Sequence, residues 1–516
     1  MNIIKKNTKA FFLLAFILLT SFLMYYHDLW RDEWLAINLA TETKSIYDLL
    51  IRLQFEGHPP LWYLIVKAGW SIFPSEIFIK IIHLFISWFI GYIILFRISL
   101  RLNYKLLILF SYFIFFEYTI PVRNYNLVIL FGFFLVNELQ KEKINIIKCL
   151  VFLVGMSASH AYGVMLSLSF SLYIFLQYRF VLRNFLFKKK AIFIIAPILL
   201  LCITGLIQLM PPGDHVSIDN SKWTLASFIK FAPKSLSAFW NSFIPIPILK
   251  VSFWNTNFID PVATFIYKNL DTLGFINSLK GDEEKKRKII SYFLKAPLGV
   301  GIIFFAVRRF FKEKYILFSL IFGWLLIYAF QLYVYYGFLR HAGFYFILFL
   351  FFIIISKKEP GKFAIIILYI HLATSFIAFY YEARYSFSSA KAASEYIFKE
   401  GGTKADAIIS MDNYNYVPSI AGYLNKGVYL YGQKDPQRYV LWESVILNIP
   451  LDSTILQFKN KISGKGYKKG FLVFTDPLEI ENVRKYFKEG YLLDYSSFTG
   501  SISGENFYVV MLRKEE

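Results

Sequence analysis

The chain has 516 residues, of which 57% are hydrophobic, 20% aromatic and only 18% charged. Soluble proteins carry roughly 25% charged residues. The composition therefore excludes disorder, a collagen-like fibre and a disulfide scaffold, argues against a soluble multidomain enzyme, and points to a polytopic α-helical membrane protein. The formal charge of +21 falls in short basic clusters between apolar runs, a membrane-topology pattern rather than a nucleic-acid footprint.

In chain order, apolar stretches of spanning length fall at 10–26, 77–96, 104–120, 124–139, 144–160, 162–179, 191–209, 290–307, 315–336, 341–356 and 363–381, eleven in all. The first follows Lys5, Lys6 and Lys9 and has no small-x-small cleavage site before His27, so it is read as a retained helix rather than a signal peptide. Cys149 and Cys202, the two cysteines, lie inside apolar runs and are expected to be free buried thiols. One alternating set of short loops holds 21 Lys and Arg, the other 7, which places the N-terminus in the cytoplasm. Residues 27–76 then form the first outer loop. Its apolar segment 60–74 is too short to cross and opens on Pro59-Pro60, which suits the first turn of a surface helix. Residues 210–289 form a long outer loop, beyond the length over which basic residues fix orientation.

After the transmembrane region 1–381 the composition turns polar. Residues 382–516 read as a small extracytoplasmic α/β domain, with strand-like runs at Ala407–Met411, Val428–Tyr431, Phe471–Thr475 and Phe507–Leu512, and helix-like runs at Ser388–Lys399 and Ile480–Lys488. It contains neither a GxGxxG nor a Walker A motif, so no nucleotide is assigned.

On this topology His27, Asp28, Arg31, Asp32, Glu33, Glu56, His58, Glu117, Arg123, His160, Arg340 and His341 all reach the outer surface. Ionisable groups at membrane depth are costly, so acids, histidines and arginines gathered on one side suggest an outward-facing active site. An acid at Asp32 could take a proton from a hydroxyl or simply cap a helix. Arg123 in Pro121-Val122-Arg123-Asn124-Tyr125, like Arg340 beside His341, could hold a phosphate at the headgroup level or snorkel to the interface. Trp30, Trp34, Trp62, Tyr63 and Trp70 could stack on sugars or form an aromatic belt. No HExxH or CxxC pair demands a metal.

The order Asp32-Glu33, His58-Pro59-Pro60-Leu61, Arg123-Asn124-Tyr125, His160 and a late outer Arg340 resembles that of bacterial GT-C membrane glycosyltransferases of the family 39 type, akin to protein O-mannosyltransferases and lipid A aminoarabinose transferases. The similarity covers residues 10–200 in motifs and 290–381 in layout. It implies an enzyme of the inner membrane that moves a sugar from a polyprenyl-phosphate donor to a lipid, glycan or protein hydroxyl on the outer face, with inversion. Asp32 would be the base and Glu33 would orient it, bind the acceptor or help hold a divalent cation. Arg123 and Arg340 would bind the donor phosphate, and His58, Tyr125, His160 and His341 would line the cavity. The chain departs from the family pattern at Trp34, where a small residue is common, and at Ile120-Pro121-Val122, where Gln-Glu-Ala is common. An O-antigen ligase or polymerase would be expected to carry an arginine-rich outer loop, whereas 210–289 has only Arg287. A lipid-linked glycan transporter would place charged or broken helices near the midplane.

Overall fold

The computed structural model describes residues 2–53, 56, 58–186, 225–272, 282–356, 358–440, 450–464, 466–477, 480–487 and 490–515. Helices α1 (Asn2–Tyr26), α2 (Arg31–Glu42), α3 (Ile46–Arg52), α4 (Leu61–Ile72), α5 (Glu76–Tyr92), α6 (Leu102–Leu109), α7 (Tyr125–Leu139), α8 (Ile146–Ser159) and α9 (Ala161–Leu186) form the first part of the bundle. Helices α10 (Leu225–Phe243), α11 (Asp260–Thr272), α12 (Glu283–Phe310), α13 (Lys314–Tyr333), α14 (Leu339–Ile355) and α15 (Lys362–Glu382) complete it. Among the described residues, six segments are long and apolar enough to cross a membrane: Lys6–Tyr26, Glu76–Arg97, Ala161–Arg183, Glu283–Phe310, Lys314–Tyr333 and Lys362–Glu382. The protein is a polytopic helical membrane protein.

Burial explains why α7 and α14 can be shorter than these. Every residue of α14 is buried, so this Phe-rich helix is the axis of the bundle and its apolar residues meet protein rather than lipid. Phe346, Phe349 and Phe351 meet rings of neighbouring helices edge to face. The axis carries Arg340 and His341 on its first turn.

Two stretches differ from their sequence reading. The expected span 104–120 is broken. Helix α6 stops at Leu109, and a wide turn follows at Phe113–Glu117, in which Tyr118 N–H donates to Phe113 O at 3.0 Å. Ser111 and Thr119 hydroxyls donate to the carbonyls of Ile108 (2.7 Å) and Ile114 (2.6 Å), and such side-chain bonds compete with the helical ladder. Part of the expected outer loop 210–289 is folded into the bundle: α10 stacks Phe239 on Tyr345 of α14, with centroids 3.9 Å apart. The expected span 191–209, with Cys202, lies outside the described residues; Cys149 is a free buried thiol.

The C-terminal region adds α16 (Ala390–Lys399), β1 (Ala407–Met411), α17 (Val417–Leu424), α18 (Leu451–Gly464), β2 (Lys469–Phe474), α19 (Ile480–Arg484), β3 (Tyr491–Phe498) and β4 (Phe507–Lys514). The sheet order is β1-β2-β4-β3. β1 pairs parallel to β2, with Ile409 opposite Phe471, and the other pairs are antiparallel. Strands β1, β2 and β4 sit between two apolar layers, one with α16 and α17 and one with α18 and α19. The run Val428–Tyr431 is not a full strand: it makes only isolated bridges, Tyr429 to Ser410 and Val428 to Gln437.

Helix α17 docks the domain on α2. Asn38 Nδ2 donates to the carbonyls of Pro418 (2.9 Å) and Arg438 (2.8 Å), and Tyr423 hydroxyl to Leu29 O (3.1 Å). Gly422 lies against the Trp34 indole so closely that a Cβ would overlap it. A Gly422→Leu variant should lose about 1–3 kcal/mol to overpacking, read as a lower melting temperature in detergent. An unchanged melting temperature would mean that the domain does not rest on α2.

Candidate active site

Helix α2 starts at Arg31, so Asp32 and Glu33 occupy its first turn about 100° apart. That rotation gives the two acids different surroundings. Glu33 faces inward and its side chain has no exposed surface. It accepts the Trp30 N–H at 2.8 Å, the reaching-back half of a capping box, and also the Val122 N–H and His27 Nε2 at 3.0 Å. The other ring nitrogen of His27 meets Glu382 Oε1, at the end of α15, at 2.7 Å. Burial pushes His27 down, but Glu33 and Glu382 outweigh it and raise its pKa to about 9. The result is a buried imidazolium between two carboxylates. It joins the end of the first span, the start of α2 and the end of the last span.

Asp32 faces the other way and keeps 24% of its side chain open. Arg340 Nη2 donates to its Oδ2 at 3.1 Å, Arg31 Nε lies 3.6 Å from its Oδ1, and Arg123 donates to its backbone carbonyl. Enclosure raises the Asp32 pKa, but Arg123, Arg340 and Arg31 outweigh it and hold the carboxyl below its ordinary range. Helix capping therefore falls to Glu33, while Asp32 sits among guanidiniums.

The remaining residues form a chain of contacts behind Asp32. Arg123 Nη2 donates to His58 Nε2 at 3.2 Å, which leaves the proton on Nδ1 because arginine can only donate. Burial and then Arg123 push His58 down to about 3, so it stays neutral. The His58 ring lies 5.0 Å from that of His160, whose Nδ1 accepts the Tyr162 N–H at 3.1 Å. The Tyr125 ring lies 4.9 Å from His160, and its hydroxyl accepts from Arg340 Nε at 3.1 Å and meets His341 Nε2 at 3.1 Å. Phe338 N–H donates to His341 Nδ1 at 2.9 Å, so Nε2 carries the proton toward Tyr125. His58 Nδ1, Arg123 Nε and His160 Nε2 are buried and find no hydrogen-bond partner among the described residues.

The eight residues given site roles in the sequence are thus brought to one place: Arg123 and Arg340 beside Asp32, His58, Tyr125, His160 and His341 in the chain of contacts behind it, and Glu33 on the inward side of the same helical turn. The sequence did not reveal what supports them. Arg340 lies between the rings of Trp30, Trp254 and Phe338, 5.0, 5.2 and 4.6 Å from their centroids. Tyr118 hydroxyl donates to the Arg340 carbonyl at 2.7 Å. Trp254 is pinned by its Nε1–H to Glu117 at 3.0 Å, and Glu117 also accepts from Tyr112 at 2.6 Å. Trp30, Trp34, Trp62 and Tyr63 are buried inside the protein, so they form neither a lipid-facing belt nor an open sugar platform. The two carboxylates have separate partners: N–H groups meet Glu33 and arginines meet Asp32. Among the described residues no cluster of three His, Cys, Asp or Glu side chains has metal-binding geometry.

No family model matches the chain, and no curated protein matches it. Two solved structures of ArnT from Cupriavidus metallidurans are similar to it at low overall superposition. The one bound to undecaprenyl phosphate has 11% identity and a TM-score of 0.40, covering 97% of each chain. The apo state has 11% identity and a TM-score of 0.41, covering 98% of each chain.

The His27 clamp makes stability depend on pH. The folded pKa of about 9 lies above the ordinary 6.5, so the clamp contributes fully below about pH 6.5 and is lost as pH rises toward 9. Melting temperatures across pH 6–10 should fall on the alkaline side, and His27→Gln should flatten that fall. Glu33→Gln should be destabilising by about 3–5 kcal/mol, the cost of stranding a buried charge, and a wild-type-like melting temperature would contradict the clamp.

Proposed function

We propose that the protein is an integral membrane glycosyltransferase that moves a sugar from a polyprenyl-phosphate donor to an acceptor hydroxyl on the outer face of the cytoplasmic membrane. One observation carries the reading. Three guanidiniums gather at one partly open acid, Arg340 and Arg31 at the Asp32 carboxylate and Arg123 on its backbone carbonyl, leaving an excess of positive charge where a lipid-borne phosphate would arrive. The order of the sequence motifs supports the same class. The excess of Lys and Arg in one set of loops, 21 against 7, supports an outward-facing site with a cytoplasmic N-terminus.

In this mechanism the donor phosphate binds Arg123 and Arg340, whose forked donors match phosphate oxygens. Binding draws the guanidiniums away from Asp32, so the carboxylate that they had held at low basicity becomes a better proton acceptor as substrate arrives. The acceptor oxygen attacks the anomeric carbon, the bond from that carbon to the phosphate oxygen breaks, and polyprenyl phosphate leaves with the bonding electrons. The acceptor proton passes to Asp32, and the anomeric configuration inverts. The arginines stabilise the charge that grows on the leaving phosphate. His58 Nδ1–H and Arg123 Nε–H, unpaired among the described residues, offer further donors to the substrate. Glu33 is a positioning residue that fixes the first turn of α2. Residues 382–516 form an extracytoplasmic domain over the outer end of the bundle.

The test is transfer in proteoliposomes from a panel of radiolabelled polyprenyl-phosphate sugars to total envelope acceptor. Wild type should transfer from at least one donor. Asp32→Asn should lower kcat by about 10²–10⁴-fold, as expected for a lost general base, while remaining folded. Arg123→Ala and Arg340→Ala should each lower kcat/KM for the donor by about 10–100-fold, the worth of a charged hydrogen bond. Undiminished transfer by Asp32→Asn would move the base elsewhere. Absence of transfer from every donor by folded wild type would sink the transferase reading.

A further inference from the structure

The Asp32 site is not completed by the helical bundle alone. Arg31, the first residue of α2, lies between two carboxylates. Its Nε is 3.6 Å from Asp32 Oδ1 and 3.6 Å from Glu505 Oε1, and its backbone N–H donates to the same Glu505 oxygen at 3.3 Å. Glu505 belongs to the C-terminal domain, on the turn that enters β4. Its side chain is only 3% exposed, against 24% for Arg31 and for Asp32.

The turn that presents Glu505 is built for the purpose. Gly504 has φ +78, the left-handed region that favours glycine. Ser501 hydroxyl and Ser389 N–H donate to the Glu505 carbonyl, at 2.8 and 3.3 Å. Ser388 hydroxyl holds the second carboxylate oxygen at 2.6 Å. Ser503 N–H donates to Phe387 O at 2.9 Å, and the Phe387 ring lies 4.6 Å from His27 and 5.0 Å from Trp254. Arg31 is held on a third side by Tyr416, 4.6 Å below its guanidinium. Lys391 pairs with Asp28 at 3.2 Å, so the junction is fastened next to the site as well.

We propose that Glu505 is a positioning residue of the active site, supplied by the C-terminal domain, that holds Arg31 in a shared position and so keeps its charge from collapsing onto Asp32. The inference rests on the transferase reading above, in which Asp32 is the base. Asp32 already has Arg340 at 3.1 Å. A second guanidinium at full contact would lower its basicity further and occupy its open side. Glu505, buried and fixed, is the counter-charge that prevents this; burial raises its carboxyl to about 7 against the pull of Arg31, so the counter-charge is complete only above neutral pH, where the comparison below is made. The domain therefore acts on the reaction electrostatically and is more than a lid.

The experiment uses the full chain in proteoliposomes and compares wild type, Glu505→Gln, Arg31→Gln and the double variant. Glu505→Gln keeps the Ser388 bond but removes the charge. It should lower kcat by about 10–100-fold and change the donor KM by less than about threefold, because Arg123 and Arg340 remain. Removing the freed arginine as well should restore activity: the double variant should be at least about fivefold faster than Glu505→Gln. A purely structural Glu505 would give no such rescue, so a double variant as slow as or slower than Glu505→Gln overturns the proposal, as does an unchanged kcat in Glu505→Gln.

A second measurement needs no turnover. Melting temperatures of Glu505→Gln, Asp32→Asn and their combination should be non-additive, and the non-additivity should vanish in an Arg31→Gln background. If wild type transfers no sugar, the transferase reading fails, and this cycle still decides whether Arg31 links the two acids; additive shifts overturn the link.

Discussion

The Glu33 carboxylate is removed from water and held by the Val122 N–H, the Trp30 N–H and the His27 imidazole. A buried charge that loses a partner is stranded at a cost of several kcal/mol, so none of these groups can drift. The Val122 contact fixes the turn that carries Arg123. The Trp30 contact fixes the first turn of α2, and with it Asp32 and Arg31. His27 passes the constraint to Glu382 at the end of the last span. The ends of segments far apart in the chain are tied through one acid that never meets solvent.

That arrangement divides labour between neighbours. Asp32 and Glu33 are adjacent acids of similar intrinsic chemistry, and helical rotation alone sends one to a structural clamp and the other to an arginine cluster. The cluster is held in place before any substrate binds. Tyr125 and His341 orient Arg340, three aromatic rings enclose it, and His58 orients Arg123. In the proposed reaction, such fixed donors would need no reorganisation as charge develops on the leaving phosphate.

The sequence showed these functional residues more readily than their supports. Polar residues beside apolar runs stand out, because burying them in lipid is costly; hence Asp32, His58, Arg123, His160 and Arg340 were visible once topology was assigned. Their partners were not, because pairing across the fold leaves no local signature. Glu382 lies 355 residues from His27, and Glu505 lies 474 from Arg31. Trp254 was hidden for the same reason, in a stretch read as a loop. In the C-terminal domain the buried strands β1, β2 and β4 were legible as apolar runs. β3 was missed because Tyr491–Phe498 is an edge strand with mixed, partly exposed residues, and α17 because eight residues are too few to show a helical period. The break after α6 was invisible because the residues that break it, Ser111 and Thr119, act through hydroxyl bonds within an apolar run.

The distance in sequence between Asp32 and its partners has a consequence for how the protein is made. Arg340 follows Asp32 by 308 residues, and Glu505 follows Arg31 by 474. At roughly 5–20 residues per second of synthesis, Asp32 is made about 15–60 seconds before Arg340. During that time its counter-charges are Arg31 beside it and, once 91 further residues are made, Arg123. The arginine cluster closes only after α14 is inserted, and Arg31 gains its second carboxylate only when the last strand of the C-terminal domain is laid down. The full electrostatic frame is therefore a property of the finished chain, and a nascent chain stalled before α14 displays the acid without Arg340.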